Sequence, residues 1–123
     1  MQTLAEKYLI DYLAKTINKD KERSNIINIG ANKSLVIEKE LDSNDCDYVE
    51  DRTDIISPDV AHDNVYRTYI CSVEEMTEVL SSEYDIAFAN FVLEHVDDLK
   101  SSASEINRIL KKGKTFVTSI PNP

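Results

Sequence analysis

The chain is poor in the residues that build phosphate cradles, disulfide frameworks and metal cages. It has only two glycines, Gly30 and Gly113, in 123 residues. A nicotinamide-dinucleotide loop wants G-x-G-x-x-G, and only its first glycine is present; a Walker loop wants G-K-[ST] after four intervening residues, and that is absent as well. The two cysteines, Cys46 and Cys71, stand far apart and neither belongs to a C-x-x-C pair. With two histidines, no zinc template fits, and buried reduced thiols in strands are the expected state of both cysteines. The acidic run Asp42-Ser43-Asn44-Asp45-Cys46-Asp47 lacks the glycine and the glutamate that an EF-hand loop requires. No apolar run approaches the ~20 residues that span a bilayer, and no signal-peptide core opens the chain. A cytoplasmic protein without a membrane span is the expectation. Basic residues are also scarce: 14 Lys+Arg face 23 Asp+Glu, for a net charge of −9. Such a chain repels phosphate backbones, which argues against a nucleic acid partner. The run Lys19-Asp20-Lys21-Glu22-Arg23 is mixed in sign and reads as a solvated helix end.

What is present suits one globular domain over residues 1–123, with 41% hydrophobic and 30% charged residues. Gln2 to Lys19 predicts a helix whose apolar face is Leu4, Tyr8, Leu9, Tyr12, Leu13 and Ile17. Ser24-Asn25 breaks it, and Ile26 to Ile29 is a short buried strand ending at Gly30. Ser34 can cap a second helix with Leu35, Val36, Ile37 and Leu41 inward. Leu41 to Asp45 is a polar turn, Asp47 to Glu50 a weak second strand, and Asp51 to Asn64, with Ser57-Pro58, a loop. Val65 to Cys71 reads as a third strand, and Ser72 as the cap of a short helix over Glu74 to Ser81, with Met76, Val79 and Leu80 facing inward. His62 falls in the loop as an exposed bystander.

From Tyr84 onward the signals sharpen. Tyr84-Asp85-Ile86-Ala87-Phe88-Ala89 is a strand-length apolar run suited to burial on both faces. Asp97 or Asp98 can cap a helix, along which Leu99, Ala103, Ile106 and Leu110 recur at helical spacing. Lys111 and Lys112 complement the carbonyl end of its dipole, and Gly113 can end it in the left-handed conformation. Thr115 to Ile120 is β-branched and aromatic, and Pro121 and Pro123 stop it. Strand, helix, strand at this length is a βαβ unit with parallel strands. Along the whole chain the alternation predicts an α/β sheet with helices on both faces. Ligands on such sheets bind at the carboxyl ends of the strands, near the point where strand order reverses.

This last stretch resembles the second half of the core of class I S-adenosylmethionine-dependent methyltransferases, especially those acting on small molecules and lipid- or sugar-linked acceptors. The resemblance rests on Tyr84-Asp85, Val92-Leu93-Glu94-His95-Val96, Glu105-Ile106, Arg108 to Gly113, and Pro121-Asn122. It implies a Rossmann-like three-layer α/β/α sandwich with five mainly parallel strands in the order 3-2-1-4-5. It also implies S-adenosylmethionine as cofactor and a small-molecule or carrier-linked acceptor. Family members have two further strands, so the resemblance implies either a C-terminally truncated piece or a shortened relative. The apolar edge of the fifth strand is then expected to be covered by a partner chain, in a homo-oligomer, or by residues beyond the chain.

Asn28-Ile29-Gly30-Ala31-Asn32-Lys33-Ser34 joins a strand to a helix. Gly30 lets a ligand approach the backbone, and the helix N-terminus suits an anionic group such as an amino-acid carboxylate. The resemblance makes this the cofactor loop, with Asn28, Asn32 and Ser34 where the family has an acid and two glycines. Asn32 tolerates a left-handed position better than most residues. Glu50, twenty residues past Gly30, can accept from both ribose hydroxyls, and Asp51 beside it is the alternative. Ser72 and Val73 occupy the adenine-edge segment, Ser72 in place of an aspartate. Asn90 and Phe91 fall where the family contacts the methionine part, and Glu94-His95 follows. His95 is the only histidine near this site and a candidate general base. No metal is implied. The reading that competes with a methyltransferase is a catalytically silent domain of the same fold, kept for binding or oligomerisation; a dinucleotide-binding half of a dehydrogenase is a third.

Overall fold

A computed structural model describes residues 3–20, 22–56 and 60–121; the expectations that touch Gln2, Lys21, Ser57-Pro58 and Asn122-Pro123 lie outside the described residues. Helix α1 (Leu4–Lys19) opens at Thr3, whose hydroxyl accepts from the Glu6 N–H at 3.1 Å. Its core side is Leu9, Ile10, Leu13, Ala14 and Ile17, while Leu4, Tyr8 and Tyr12 are 66%, 66% and 49% exposed. The helix carries more apolar residues than one stripe can bury. The branched and aliphatic ones take the core, and the tyrosines keep their hydroxyls in water.

Five strands follow, β1 (Ser24–Ile29), β2 (Tyr48–Asp54), β3 (Val65–Ile70), β4 (Tyr84–Asn90) and β5 (Leu110–Ser119), with α2 (Val36–Ser43) between β1 and β2 and α3 (Leu99–Ile109) between β4 and β5. All pairs are parallel and the order is β3-β2-β1-β4-β5, the order expected. The two-residue period of the strands divides their side chains between layers. Ile26, Ile86 and Phe88 pack with α1 and α2, whereas Ile27, Ile29, Ala87 and Ala89 pack with Met76, Val79, Ile106 and Ile109.

Several boundaries differ from expectation. Ser24-Asn25 belongs to β1, and β2 runs on to Asp54 instead of stopping at Glu50. The residues that looked like loop, Asp51 to Asp54, continue the strand because Glu50 and Arg52 share one buried face, where Arg52 Nε donates to Glu50 Oε2 at 3.0 Å. Ser34 is not the cap of α2; that position is Leu35, and the Ser34 hydroxyl accepts from the Val36 N–H at 3.3 Å. Of the two candidate caps of α3, Asp98 is the one used, accepting from the Ser101 N–H at 3.1 Å. That helix ends at Ile109, not at Gly113. β5 starts at once and pairs Leu110 with Tyr84 but Thr115 with Ile86, so a bulge absorbs the extra residues, and Gly113 at φ +77° lies within it.

Residues 74–81 form no helix. Their backbone groups are satisfied across the layer instead: Met76 N–H donates to Glu105 Oε2 at 2.6 Å, and Arg108 donates to the Met76 and Val79 carbonyls, each at 2.8 Å. Met76 and Val79 still point inward, while Leu80 is 58% exposed. Glu105→Ala leaves both Met76 N–H and Arg108 without their carboxylate, and is expected to cost about 1–3 kcal/mol. A shift of the urea midpoint, with faster hydrogen exchange at the Met76 amide, checks this; an unchanged midpoint refutes it.

Cys46 and Cys71 are free and half-buried, and both lie just outside strands rather than within them. His62 is a bystander to the strand ends but not an exposed one. Its Nε2 is 2.7 Å from Asp42 Oδ2, its Nδ1 accepts from the Asn64 N–H at 3.0 Å, and its ring stacks on Tyr48. No helix among the described residues is long and apolar enough to cross a membrane.

Candidate functional site

Strand order reverses between β1 and β4, and the loops that leave β1, β2, β3 and β4 at that end enclose a cavity of about 410 Å³. Its floor and walls are Ile29, Gly30, Asn32, Thr53, Asp54, Ile55, the Cys71–Glu74 segment, Phe91, Val92, His95 and Val96. The volume lies within the usual range of small-molecule sites, and the lining is apolar with a few polar groups, as such sites are.

The turn after β1 is the tightest part. Gly30 has φ +66°, and a Cβ built there would lie 2.6 Å from Val92 Cγ2, so no larger residue fits without displacing Val92. The Gly30 N–H donates to Thr53 Oγ1 at 3.2 Å and the Ala31 N–H to the Thr53 carbonyl at 2.9 Å. Asn32 adopts the left-handed conformation, φ +46°, that the sequence suggested it could tolerate, and its Oδ1 accepts from the Ser34 N–H at 2.7 Å. A side-chain turn therefore does there what a glycine would do by freedom alone.

Beneath this turn lies a charged cluster within the protein interior. Arg52 is 0% exposed, and Glu38 and Glu50 are each 1% exposed. Arg52 Nε donates to Glu50 Oε2 at 3.0 Å, and its NH2 group reaches Glu38 Oε2 at 3.3 Å and the Ser34 carbonyl at 2.6 Å. Asn28 turns the same way and donates to Glu38 Oε2 at 2.9 Å. Two carboxyls face one guanidinium, and burial together with the Glu38 charge pushes the Glu50 carboxyl well above the ordinary glutamate range, against the pull of Arg52. A proton held on Glu50 leaves the cluster neutral. Folding then takes up that proton, so stability is fully present below about pH 4.5, the ordinary glutamate value, and declines as pH rises toward the native value. Glu50→Gln, which carries no titrating proton, is expected to flatten this decline. Melting temperatures at pH 5, 6.5 and 8 decide it, and parallel profiles for the two proteins would sink the assignment.

The residues singled out from sequence are thus only partly brought together. Gly30, Asn32, Ser72, Val73, Phe91 and His95 line the cavity. Asn28 points into the α2 layer, Ala31 is buried in the turn, and Glu50 is enclosed with Arg52. Asp51 faces the opposite layer, where it accepts from the Tyr84 hydroxyl at 2.6 Å. Asn90 has both ends of its amide engaged, Nδ2 donating to Glu6 at 2.7 Å and Oδ1 accepting from Ser119 Oγ at 2.5 Å. Phe91 follows with φ +58°, a conformation that a bulky side chain rarely adopts, and its N–H donates to the Ser119 carbonyl. Ser72 Oγ accepts from the Glu74 N–H at 3.1 Å, so it does close a local turn as a cap would, though no helix follows. His95 stands at the mouth, its side chain 80% exposed.

The β2 acid that does line the cavity is Asp54, at the carboxyl end of the strand. One of its oxygens accepts from the Ile55 N–H at 2.8 Å, and the other has no partner among the described residues. Read from sequence alone, β2 stops four residues early, and Glu50 then stands at the strand end. In the structure Ser24–Ile29 pairs one to one with Tyr48–Thr53, so the extension of β2 goes with an earlier start of β1 that the sequence reading also misses.

A family model described as a methyltransferase domain matches residues 30–118. Among solved structures, the YcgJ protein of Bacillus subtilis superposes with a TM-score of 0.71 at 16% identity, over 90% of this chain and 50% of that one. The 1,6-didemethyltoxoflavin-N1-methyltransferase of Burkholderia thailandensis, solved with 1,6-didemethyltoxoflavin and S-adenosylhomocysteine, gives 0.70 at 16% identity, over 93% and 51%. The geranyl diphosphate C-methyltransferase of Streptomyces coelicolor, solved with S-adenosylhomocysteine, gives 0.68 at 15%, over 92% and 43%. At these identities the likeness is one of fold, and the chain spans about half the length of these proteins. No curated protein matches the chain.

Proposed function

This chain belongs to the methyltransferase domain family, and we propose that it is the cofactor-binding portion of an S-adenosylmethionine-dependent methyltransferase acting on a small or carrier-linked acceptor. The observation that carries this reading is the cavity at the strand-order reversal, bounded by the Gly30 turn, Asp54 and the Ser72-Val73 segment. Its residues suit the cofactor part by part. Asp54 offers a free carboxylate oxygen to a ribose diol. Val73 and Ile55, with Ile29 beneath, give apolar walls to an aromatic base, and Ser72 sits where an exocyclic amine can be hydrogen-bonded. The Gly30 turn packs directly against Val92, and both border the end of the cavity that would take the amino-acid part.

The cofactor supplies a methyl group already activated by a sulfonium, so the protein has to align, enclose and dry the site more than react. Gly30 and Phe91 set the distance between the turn and the β4 loop, and Val92 and Val96 exclude water between them. His95, at the mouth, is placed to take a proton from an acceptor hydroxyl or amine that has lost its lone pair to the methyl carbon. The left-handed Asn32 favours a working loop over a silent one, because the turn keeps its shape without the family's second glycine. Calorimetry with S-adenosylhomocysteine tests the reading: micromolar to sub-millimolar binding is expected, and no heat of binding at millimolar ligand would remove it.

A further inference from the structure

We propose that Arg52 is a positioning residue for the cofactor turn, holding the Asn32 and Ser34 carbonyls from beneath and so fixing a loop that glycines do not shape here. The inference rests on the cofactor reading of the cavity. Arg52 NH1 donates to the Asn32 carbonyl at 3.4 Å and NH2 to the Ser34 carbonyl at 2.6 Å, from a side chain 0% exposed. A guanidinium is a rigid fork, and this one grips two carbonyls two residues apart while Glu38 and Glu50 anchor its other edge. In a trans peptide the N–H points opposite to the C=O. Carbonyls drawn inward to Arg52 therefore turn the Lys33 and Leu35 N–H groups to the outer side of the loop, where an anionic group can meet them.

Charge explains why an arginine can sit there at all. A lone buried guanidinium is costly, yet Glu38 and Glu50 both lie within ion-pair distance, and Asn28 fixes Glu38 in turn. The members of the cluster come from three pieces of the site: Asn28 from β1, Glu38 from α2, Glu50 and Arg52 from β2. The cluster ties the strand that leads into the turn, the helix that follows it and the neighbouring strand to a single point below the cavity. With Gly30 the only glycine in the loop, this tether holds the turn in a shape that backbone freedom alone would not select.

The test is Arg52→Lys, which keeps the charge opposite the carboxylates but loses the fork. Two quantities are read: hydrogen exchange at amides 31–36 compared with those of β1 and β4, and the Kd for S-adenosylhomocysteine. Exchange in the turn is expected to rise about tenfold with the strand amides unchanged, and affinity to fall by about tenfold, the worth of one lost hydrogen bond. A variant that melts lower but keeps wild-type exchange in the turn and wild-type affinity would overturn the proposal, since a purely structural arginine behaves that way. If wild-type protein binds no S-adenosylhomocysteine, the cofactor reading fails by itself, and the exchange arm still decides whether Arg52 holds the turn. Should Arg52→Lys not fold, Arg52→Gln combined with Glu38→Gln removes the guanidinium together with the carboxylate that balances it and gives the same two readouts.

Discussion

Arg52→Met is expected to destabilise the domain by about 3–5 kcal/mol, the usual result of removing one partner from a buried ion pair. For a domain of this size that lowers the melting temperature by roughly 10–20 °C. The cost arises mainly from the two carboxyl groups left behind in the interior. Glu38 and Glu50 are each 1% exposed, and each already has one oxygen, Oε1, without a partner. Without the guanidinium, Glu38 Oε2 keeps only Asn28, Glu50 Oε2 keeps none of its Arg52 bonds, and the Ser34 carbonyl loses a donor at 2.6 Å. Glu50 softens the loss by holding its proton more firmly. Glu50→Gln in the same chain is therefore expected to recover part of the loss at pH 8 and little of it at pH 5, where Glu50 is already protonated. Urea denaturation at the two pH values checks both statements, and a loss under about 1 kcal/mol for Arg52→Met would show that the cluster is hydrated rather than dry.

Asp54→Ala is expected to weaken S-adenosylhomocysteine binding by roughly 10–150-fold, because hydrogen bonds to a charged group contribute about 1.5–3 kcal/mol. Asp54 is the β2 carboxylate that lines the cavity, and only one of its oxygens is taken by the Ile55 N–H. Asp51→Asn gives the contrast. Its side chain faces away and accepts from Tyr84, a role an amide oxygen can keep, so affinity is expected to stay within about twofold. The two variants decide between neighbouring acids of one strand. A large loss for Asp51→Asn with none for Asp54→Ala would move the ribose site away from the carboxyl end of β2 and overturn the cavity assignment.

Much of the fold was legible because it depends on local pattern. The apolar run Tyr84 to Ala89, the aspartate cap and helical spacing of Leu99 to Ile109, and the short strand before Gly30 each state their own conformation. Their alternation is enough to require a parallel sheet with helices on its faces. The turn at Gly30 was legible for the same reason, since a glycine between a strand and a helix marks a close approach. What failed were segments whose backbone is satisfied by distant partners. Residues 74–81 look helical, yet Glu105 and Arg108 of α3, about 30 residues away in sequence, take their hydrogen bonds. Asp51 to Asp54 look like loop, yet Arg52 is the largest fully buried side chain among the described residues, which its charge alone would never suggest.

By itself, then, the sequence determined the α/β class, the family resemblance and the position of the Gly30 turn, because period, capping and glycine placement act over a few residues. Only the tertiary structure decided which β2 acid meets the cavity. Glu50 and Asp54 are two carboxylates on the same strand four residues apart, alike to any local rule. The first is enclosed because Glu38 and Arg52 converge on it from helix and strand, and the second is open because the strand ends there.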